Sequence, residues 1–224
     1  MRQAACVLFD LDGTLTDPAA GIVGCIQHAL RSLGAPVPPA SQLTRYIGPP
    51  LRESLAVLLG QPDSATVEEA VRRYRERFEA RGMYENRVYP GIPELLRHLT
   101  EMGWRAFVVT SKPTPYARRI LDHFGLSGLF FGVYGSEMDG RLTRKGQLLA
   151  HVLAVESLVT EGAVMVGDRA EDIRGAREHG LACAGVAYGY GSIQELREAG
   201  ACWICDDPTA VFMVLRDHFG EVAS

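Results

Sequence analysis

Hydrophobic runs and polar punctuation divide this chain into a regular rhythm with one long interruption. Residues 5–9, "ACVLF", form a short apolar run closed by an Asp-Gly turn, the pattern of a buried strand. The same pattern recurs at 105–110, "RAFVVT", at 163–167, "AVMVG", and at 182–186, "ACAGV". Weaker strand patterns lie at 130–134 and 202–205. Helical spacing of apolar positions predicts helices over 93–102, 115–124, 146–155, 171–179, 192–199 and 208–218. Strands alternating with helices predict an α/β fold, a Rossmann-like doubly wound parallel sheet with helices on both faces. Such a sheet binds ligands outside the carboxyl ends of its strands, where the strand order reverses.

The interruption follows the first strand. From Asp17 to Arg87 only helical patterns occur, at 19–33, about 51–59 and 66–81, with the proline-rich "APVPPAS" between the first two. "VYPG" at 88–91 marks the return to the strand–helix rhythm. The expected organisation is therefore a core of residues 1–16 and 88–224 with an inserted α-helical cap at 17–87.

Bulk properties narrow the classes of function. The 224 residues are 47% apolar, enough for a real core. A net charge of −4 with scattered basic residues gives no footprint for nucleic acid or an anionic membrane. No apolar run approaches the ~18 residues of a membrane span, and Asp10 breaks the N-terminal run too early for a signal peptide. The five cysteines form no closely spaced even framework, so reduced thiols and a cytoplasmic setting are expected. Cys202 and Cys205 have CxxC spacing but no second pair, and their apolar neighbours favour a strand over a redox or metal site. A monomer and a homodimer are both compatible with the sequence.

The first strand runs into Asp10 and Asp12, which sets two carboxylates at its carboxyl end. A turn accounts for Asp12–Gly13 but not for Asp10, which adds like charge beside it. A calcium loop is excluded, because its twelfth position falls on Gly21 and its glycine comes too early. Other strand ends carry matching chemistry: Thr110 closes "AFVVT", "VGDRAED" supplies Asp168 and Asp172, and Lys145 opens the helix before that strand. Carboxylates from two strand ends suit a hard cation such as Mg²⁺, and a lysine with a hydroxyl beside it suits an anionic substrate. Together they describe phosphoryl transfer, which runs on positioning and charge neutralisation. Lys112 and Lys145 are the only lysines beside 21 arginines, and lysine is the choice where a compact ammonium is needed.

"DLDGTLTD", "VVTSK", Lys145 and "VGDRAED", in this order, resemble the four motifs of the haloacid dehalogenase-like hydrolase superfamily. "IGPPLRESL", "VYPGIPELL" and "GYGS" are similar to phrases of its phosphoglycolate phosphatase-like branch, which carries a small helical cap of the C1 type. The resemblance implies Asp10 as nucleophile forming an aspartyl-phosphate, and Asp12 as general acid and then base. It implies Mg²⁺ held by the Asp10 side chain, the Asp12 carbonyl and Asp168, with Asp172 orienting Lys145 or a metal-bound water. Thr110 and the Ser111 N–H would bind a phosphoryl oxygen, and Lys145 would neutralise the charge shared by Asp10 and phosphate. Lys112 is a candidate for contact with substrate. Arg52 is the candidate cap residue for the substrate's far end, and Arg45 a weaker one.

The implied activity is Mg²⁺-dependent hydrolysis of a small phosphorylated metabolite, such as phosphoglycolate, a nucleotide or a sugar phosphate. A sugar phosphomutase is the alternative, and a non-catalytic phosphate-binding relative a more distant one. Asp12 argues against a dehalogenase, and the lysine-free cap argues against a phosphonate-cleaving Schiff-base enzyme. The six histidines show no HExxH or HxH spacing, and no GxSxG elbow or Walker loop is present. "GYGS" at 189–192 lacks the third glycine of a dinucleotide fingerprint and reads as a loop near the cap hinge.

Overall fold

The computed structural model describes residues 5–220. Its centre is a six-stranded parallel sheet of β1 (Cys6–Phe9), β4 (Arg105–Pro113), β5 (Gly132–Ser136), β6 (Ala163–Gly167), β7 (Ala182–Val186) and β8 (Trp203–Cys205), in the order β5-β4-β1-β6-β7-β8. The chain builds outward from β1 through β4 to β5, then crosses back to place β6 on the other side of β1. Strand order therefore reverses between β1 and β6, the predicted binding position of a doubly wound sheet.

Alternation along the strands explains why both faces are covered. Val7 and Phe9 of β1, with Val108, Val164 and Val166, pack against α5 (Ile92–Glu101), α6 (Thr114–His123) and α10 (Pro208–Phe219). Cys6 and Leu8, with Phe107, Val109 and Met165, pack against α7 (Lys145–Val155), α8 (Ala170–Glu178) and α9 (Ile193–Ala199). A strand buried on both faces has no polar alternation to show, which is why β1 reads as a continuous apolar run. The weak candidates at 130–134 and 202–205 are the edge strands β5 and β8, each shifted by a residue or two from its pattern.

Between the core strands, α1 (Ala19–Ser32), α2 (Ala40–Leu43), α3 (Leu51–Leu58) and α4 (Ser64–Arg77) form one helical segment, and α1 packs along α4. α4 relaxes into a wider π-type turn over Phe78–Gly82. The segment leaves and re-enters the core through a two-stranded antiparallel ribbon, β2 (Thr16–Asp17) and β3 (Arg87–Val88). Two residues per strand are too few to show a hydrophobic period, so sequence patterning does not reveal this ribbon. Arg87 holds Asp17 across it at 2.7 Å.

The Cys202–Cys205 spacing belongs to β8 and its approach. Cys205 is buried, and Cys202 lies beside Cys183 of β7, with their sulfurs 4.0 Å apart, not beside Cys205. No disulfide joins any of the cysteines among the described residues. No helix among the described residues is long and apolar enough to cross a membrane.

Candidate active site

Three strand ends and one helix start converge at the switch point. Asp10 and Asp12 follow β1, Thr110 to Lys112 lie at the end of β4, Asp168 follows β6, and Lys145 opens α7 beneath them. Asp10, Asp12, Thr110, Lys145, Asp168 and Asp172 are buried here, and Ser111 and Lys112 are half-buried.

Lys145 is the electrostatic hub. Its Nζ lies 2.8 Å from Asp10 Oδ1 and 2.8 Å from Asp172 Oδ1, and it donates to the Val109 carbonyl at 2.7 Å. Burial alone would lower the ammonium's pKa, but the two carboxylates overturn this and hold it above the usual lysine range. Asp172 Oδ2 accepts the Arg169 N–H at 3.1 Å, so Asp172 both caps α8 and fixes Lys145.

A second ammonium serves the second aspartate. Lys112 Nζ lies 2.8 Å from Asp12 Oδ2 and 4.6 Å from the centroid of the Phe78 ring. It reaches Asp12 because β4 is irregular: pairing with β5 steps from Thr110 to Pro113 while β5 advances from Gly135 only to Ser136. Ser111 and Lys112 are thus bulged out of the ladder, and the bulge turns the Lys112 side chain into the site. The sequence reading ended this strand at Thr110 and did not include the bulge. Asp12 Oδ1 is buried without a hydrogen-bond partner among the described residues, and burial pushes the Asp12 carboxyl above its usual range.

Asp168 sits in a tight cradle. The Tyr190 N–H donates to its Oδ2 at 2.8 Å, and Thr14 Oγ1 stands 3.5 Å from its Oδ1. Gly13, at φ +89°, approaches so closely that a Cβ there would lie 2.2 Å from Asp168 Oδ2. A Cβ on Gly189 would lie 2.3 Å from Asp168 Cβ. The "GYGS" glycines therefore let a loop close over Asp168, and the Tyr190 hydroxyl of that loop bonds Asp17 in the ribbon. This function of Gly13, Tyr190 and Gly189 was not legible, because the loop and Asp168 meet only through the fold. Gly13→Ala is expected to destabilise the protein by about 1–3 kcal/mol through the positive φ and the clash together, read as a lower midpoint in urea unfolding.

The candidate site is over-supplied with negative charge. Asp10, Asp12, Asp168 and Asp172 face two ammonium groups, Lys112 and Lys145. Burial raises Asp168 well above the usual carboxylate range, and the charges of Asp172 and Asp10 raise it further. Burial lifts Asp172 to about 6 even though Lys145 pulls it down. Carboxylate oxygens of Asp10, Asp168 and Asp172 lie within 4.8 Å of one another. Excess buried charge, an unpartnered Asp12 oxygen and clustered hard donors fit a divalent cation.

The candidates from the helical segment fare differently. Arg52 lines the adjoining cavity, but Glu68 holds its guanidinium at 2.5 and 3.1 Å. Arg45, the weaker candidate, is exposed over the Tyr46 ring and is not among the residues that line this cavity. Arg169 spans the gap between the segment and the sheet. Its Nε donates to Glu195 at 3.0 Å and its Nη1 to the Ile47 carbonyl at 2.8 Å. The sequence reading passed over Arg169 because a lone arginine beside a motif has no distinguishing spacing.

The chain belongs to the haloacid dehalogenase-like hydrolase family, whose pattern matches residues 7–186. Within that family it is one of the phosphatases. A 5'-nucleotidase from Pseudomonas aeruginosa is 47% identical over 222 residues, covering 97% of this chain and 100% of that protein. The tyrosine-protein kinase PtkA of Mycobacterium tuberculosis is 46% identical over 185 residues, 83% of this chain and 62% of its own length. Among solved structures, a predicted phosphatase from Clostridium acetobutylicum superimposes with a TM-score of 0.92 at 38% identity, covering 96% of this chain and 100% of that one.

Proposed function

We propose that this phosphatase is Mg²⁺-dependent and hydrolyses a small phosphomonoester through an aspartyl-phosphate on Asp10, with residues 17–87 acting as a cap over the site. The arrangement around Asp10 carries this reading. Its Oδ1 is pinned by Lys145 at 2.8 Å at the switch point of the sheet, which leaves the second oxygen to attack phosphorus.

The remaining roles follow from which atoms are free. Lys112 occupies Asp12 Oδ2 and leaves Oδ1 to protonate the departing ester oxygen and then to take a proton from water. The upward shift that burial gives Asp12 favours its protonated form, the form a proton donor needs. Thr110 Oγ1 already accepts the Lys112 N–H at 3.3 Å, so its own proton can go to a phosphoryl oxygen, with the Ser111 N–H beside it. Asp10 and Asp168 side chains with the Asp12 carbonyl would hold Mg²⁺. Both Asp172 oxygens are engaged, by Lys145 and the Arg169 N–H, which supports a role for Asp172 in orienting Lys145. A bound Mg²⁺ supplies the positive charge that lets an anionic phosphate approach anionic Asp10. Cap closure would exclude water from phosphoryl transfer and reopen for release.

The test is phosphate release from a panel of small esters, including nucleoside monophosphates, phosphoglycolate and hexose phosphates, with Mg²⁺ and then with EDTA. Metal-dependent release is expected. Isomerised sugar phosphate without free phosphate would replace this reading with a mutase, and no reaction with any ester would overturn it.

The carboxylates also predict how metal and pH act on stability. Asp168 and Asp172 have folded pKa values above the ~3.9 of an unfolded aspartate, so protonation favours the folded state. Their contribution to metal-free stability is full below about pH 4 and is lost as pH rises through about 6. Mg²⁺ competes with those protons, so it should raise the unfolding temperature at about pH 7.5, and the rise should fade by about pH 5. A thermal melt series with and without Mg²⁺ checks this; an equal Mg²⁺ increment at both pH values would contradict it.

A further inference from the structure

A cavity of about 360 Å³ opens from Asp12, Ser111 and Lys112 and runs between the sheet and the helical segment. That volume is at the scale of a whole small ligand, and a two-carbon group would fill little of it. Beyond the polar end, the walls are dominated by Ile22, Leu51, Tyr46, Tyr74, Phe78 and Tyr116. Three of these rings are contiguous. Tyr74 stacks on Phe78 with centroids 5.6 Å apart and planes at 18°, and Phe78 meets Tyr116 edge-on at 5.3 Å and 63°. Phe78 also lies over the Lys112 ammonium, so the aromatic wall begins beside the group that pairs with Asp12.

The cavity's cations are already engaged. Arg52 is clasped by Glu68, and Arg75 Nη2 donates to the Met138 carbonyl at 2.8 Å. Glu53 and Glu137 line the same space. An acid ester such as phosphoglycolate would have to set its carboxylate among these carboxylates, against arginines that must first exchange their partners. An aromatic ring meets no such penalty, and it gains from planar contact with the tyrosines and Phe78.

Resting on the phosphatase reading above, the geometry points to a phosphomonoester whose leaving group carries an aromatic ring, seated against Tyr46, Tyr74, Phe78 and Tyr116. Its phosphoryl group lies at Asp10 and its ester oxygen at Asp12 Oδ1. Water replaces the leaving group at phosphorus over the two steps, and Asp12 returns the proton it takes from water to the departing hydroxyl of the next cycle. Two sources share this chemistry: nucleoside 5'-monophosphates and O-phosphotyrosine.

The test compares kcat/KM, with Mg²⁺ present, for adenosine 5'-monophosphate, O-phospho-L-tyrosine, phosphoglycolate and glucose 6-phosphate. At least one aromatic ester is expected to exceed both others by about 100-fold, and the faster of the two identifies the source. Phosphoglycolate or glucose 6-phosphate in the lead would overturn the aromatic assignment while leaving the phosphatase standing. Release from none of the four would overturn both. Tyr46→Ala, a change at a half-buried ring, is expected to lower the ratio of aromatic-ester to glucose 6-phosphate kcat/KM by about tenfold. An equal loss on both substrates would overturn ring recognition by Tyr46.

Discussion

Asp10→Asn is expected to reduce turnover by at least about ten-thousand-fold while leaving the fold intact. The amide matches the carboxylate in shape, so β1 and its packing through Val7 and Phe9 are undisturbed. Lys145 keeps Asp172 at 2.8 Å and the Val109 carbonyl at 2.7 Å, so its buried charge is not stranded. Repulsion among the clustered aspartates falls at the same time, which offsets the lost ion pair. The amide oxygen, however, lacks the charge and lone-pair basicity to displace an alkoxide from phosphorus. Phosphate release and a thermal melt on the same sample separate the two effects. Turnover within tenfold of wild type would end the covalent account.

Lys145→Met is expected to damage both stability and activity. The methionine fills similar volume, but it leaves Asp10 and Asp172 facing each other and Asp168 with no buried cation among them. Breaking one side of a buried charge network typically costs about 3–5 kcal/mol, a large share of a domain's total stability. Urea unfolding at neutral pH measures this. The loss should shrink at low pH, where the carboxyls take up protons, and in Lys145→Met/Asp172→Asn, which removes one of the stranded charges. Turnover should fall by at least about a hundredfold, because charge on the Asp10–phosphate unit is no longer neutralised. A variant as stable as wild type would mean that Lys145 is not the hub of the cluster.

Much of this arrangement could be read from residue patterns, and the reason is local. Asp10, Asp12, Thr110 and Asp168 each follow a buried apolar run, so their places at strand ends came with the strands themselves. Lys145 was legible as the first residue of its helix. What escaped was whatever depends on two distant segments meeting. The ion pair of Lys112 with Asp12 needs a bulge in β4 that leaves no trace in hydropathy. The closure of Gly13 and Gly189 on Asp168 joins loops about 175 residues apart in sequence, and no spacing rule connects them. The pairing of Arg52 with Glu68 is likewise a tertiary fact. Long-range charge pairing, more than secondary structure, was the illegible part.

The same contacts suggest how the helical segment is held over the site. Arg169, next to Asp168, reaches the Ile47 carbonyl, and Tyr190 reaches Asp17 in the ribbon. The loop that cradles Asp168 is thereby tied to the ribbon, and Arg169 beside Asp168 is tied to the middle of the segment.

The central claim is that phosphate passes through Asp10. The most direct measurement quenches the Mg²⁺-containing reaction in acid, reduces the protein with borohydride, and maps the product by peptide mass spectrometry. An acyl phosphate on Asp10 is reduced to homoserine, so homoserine at position 10, absent without substrate, is the predicted result. Active enzyme that releases phosphate but yields homoserine elsewhere, or nowhere, would contradict the account.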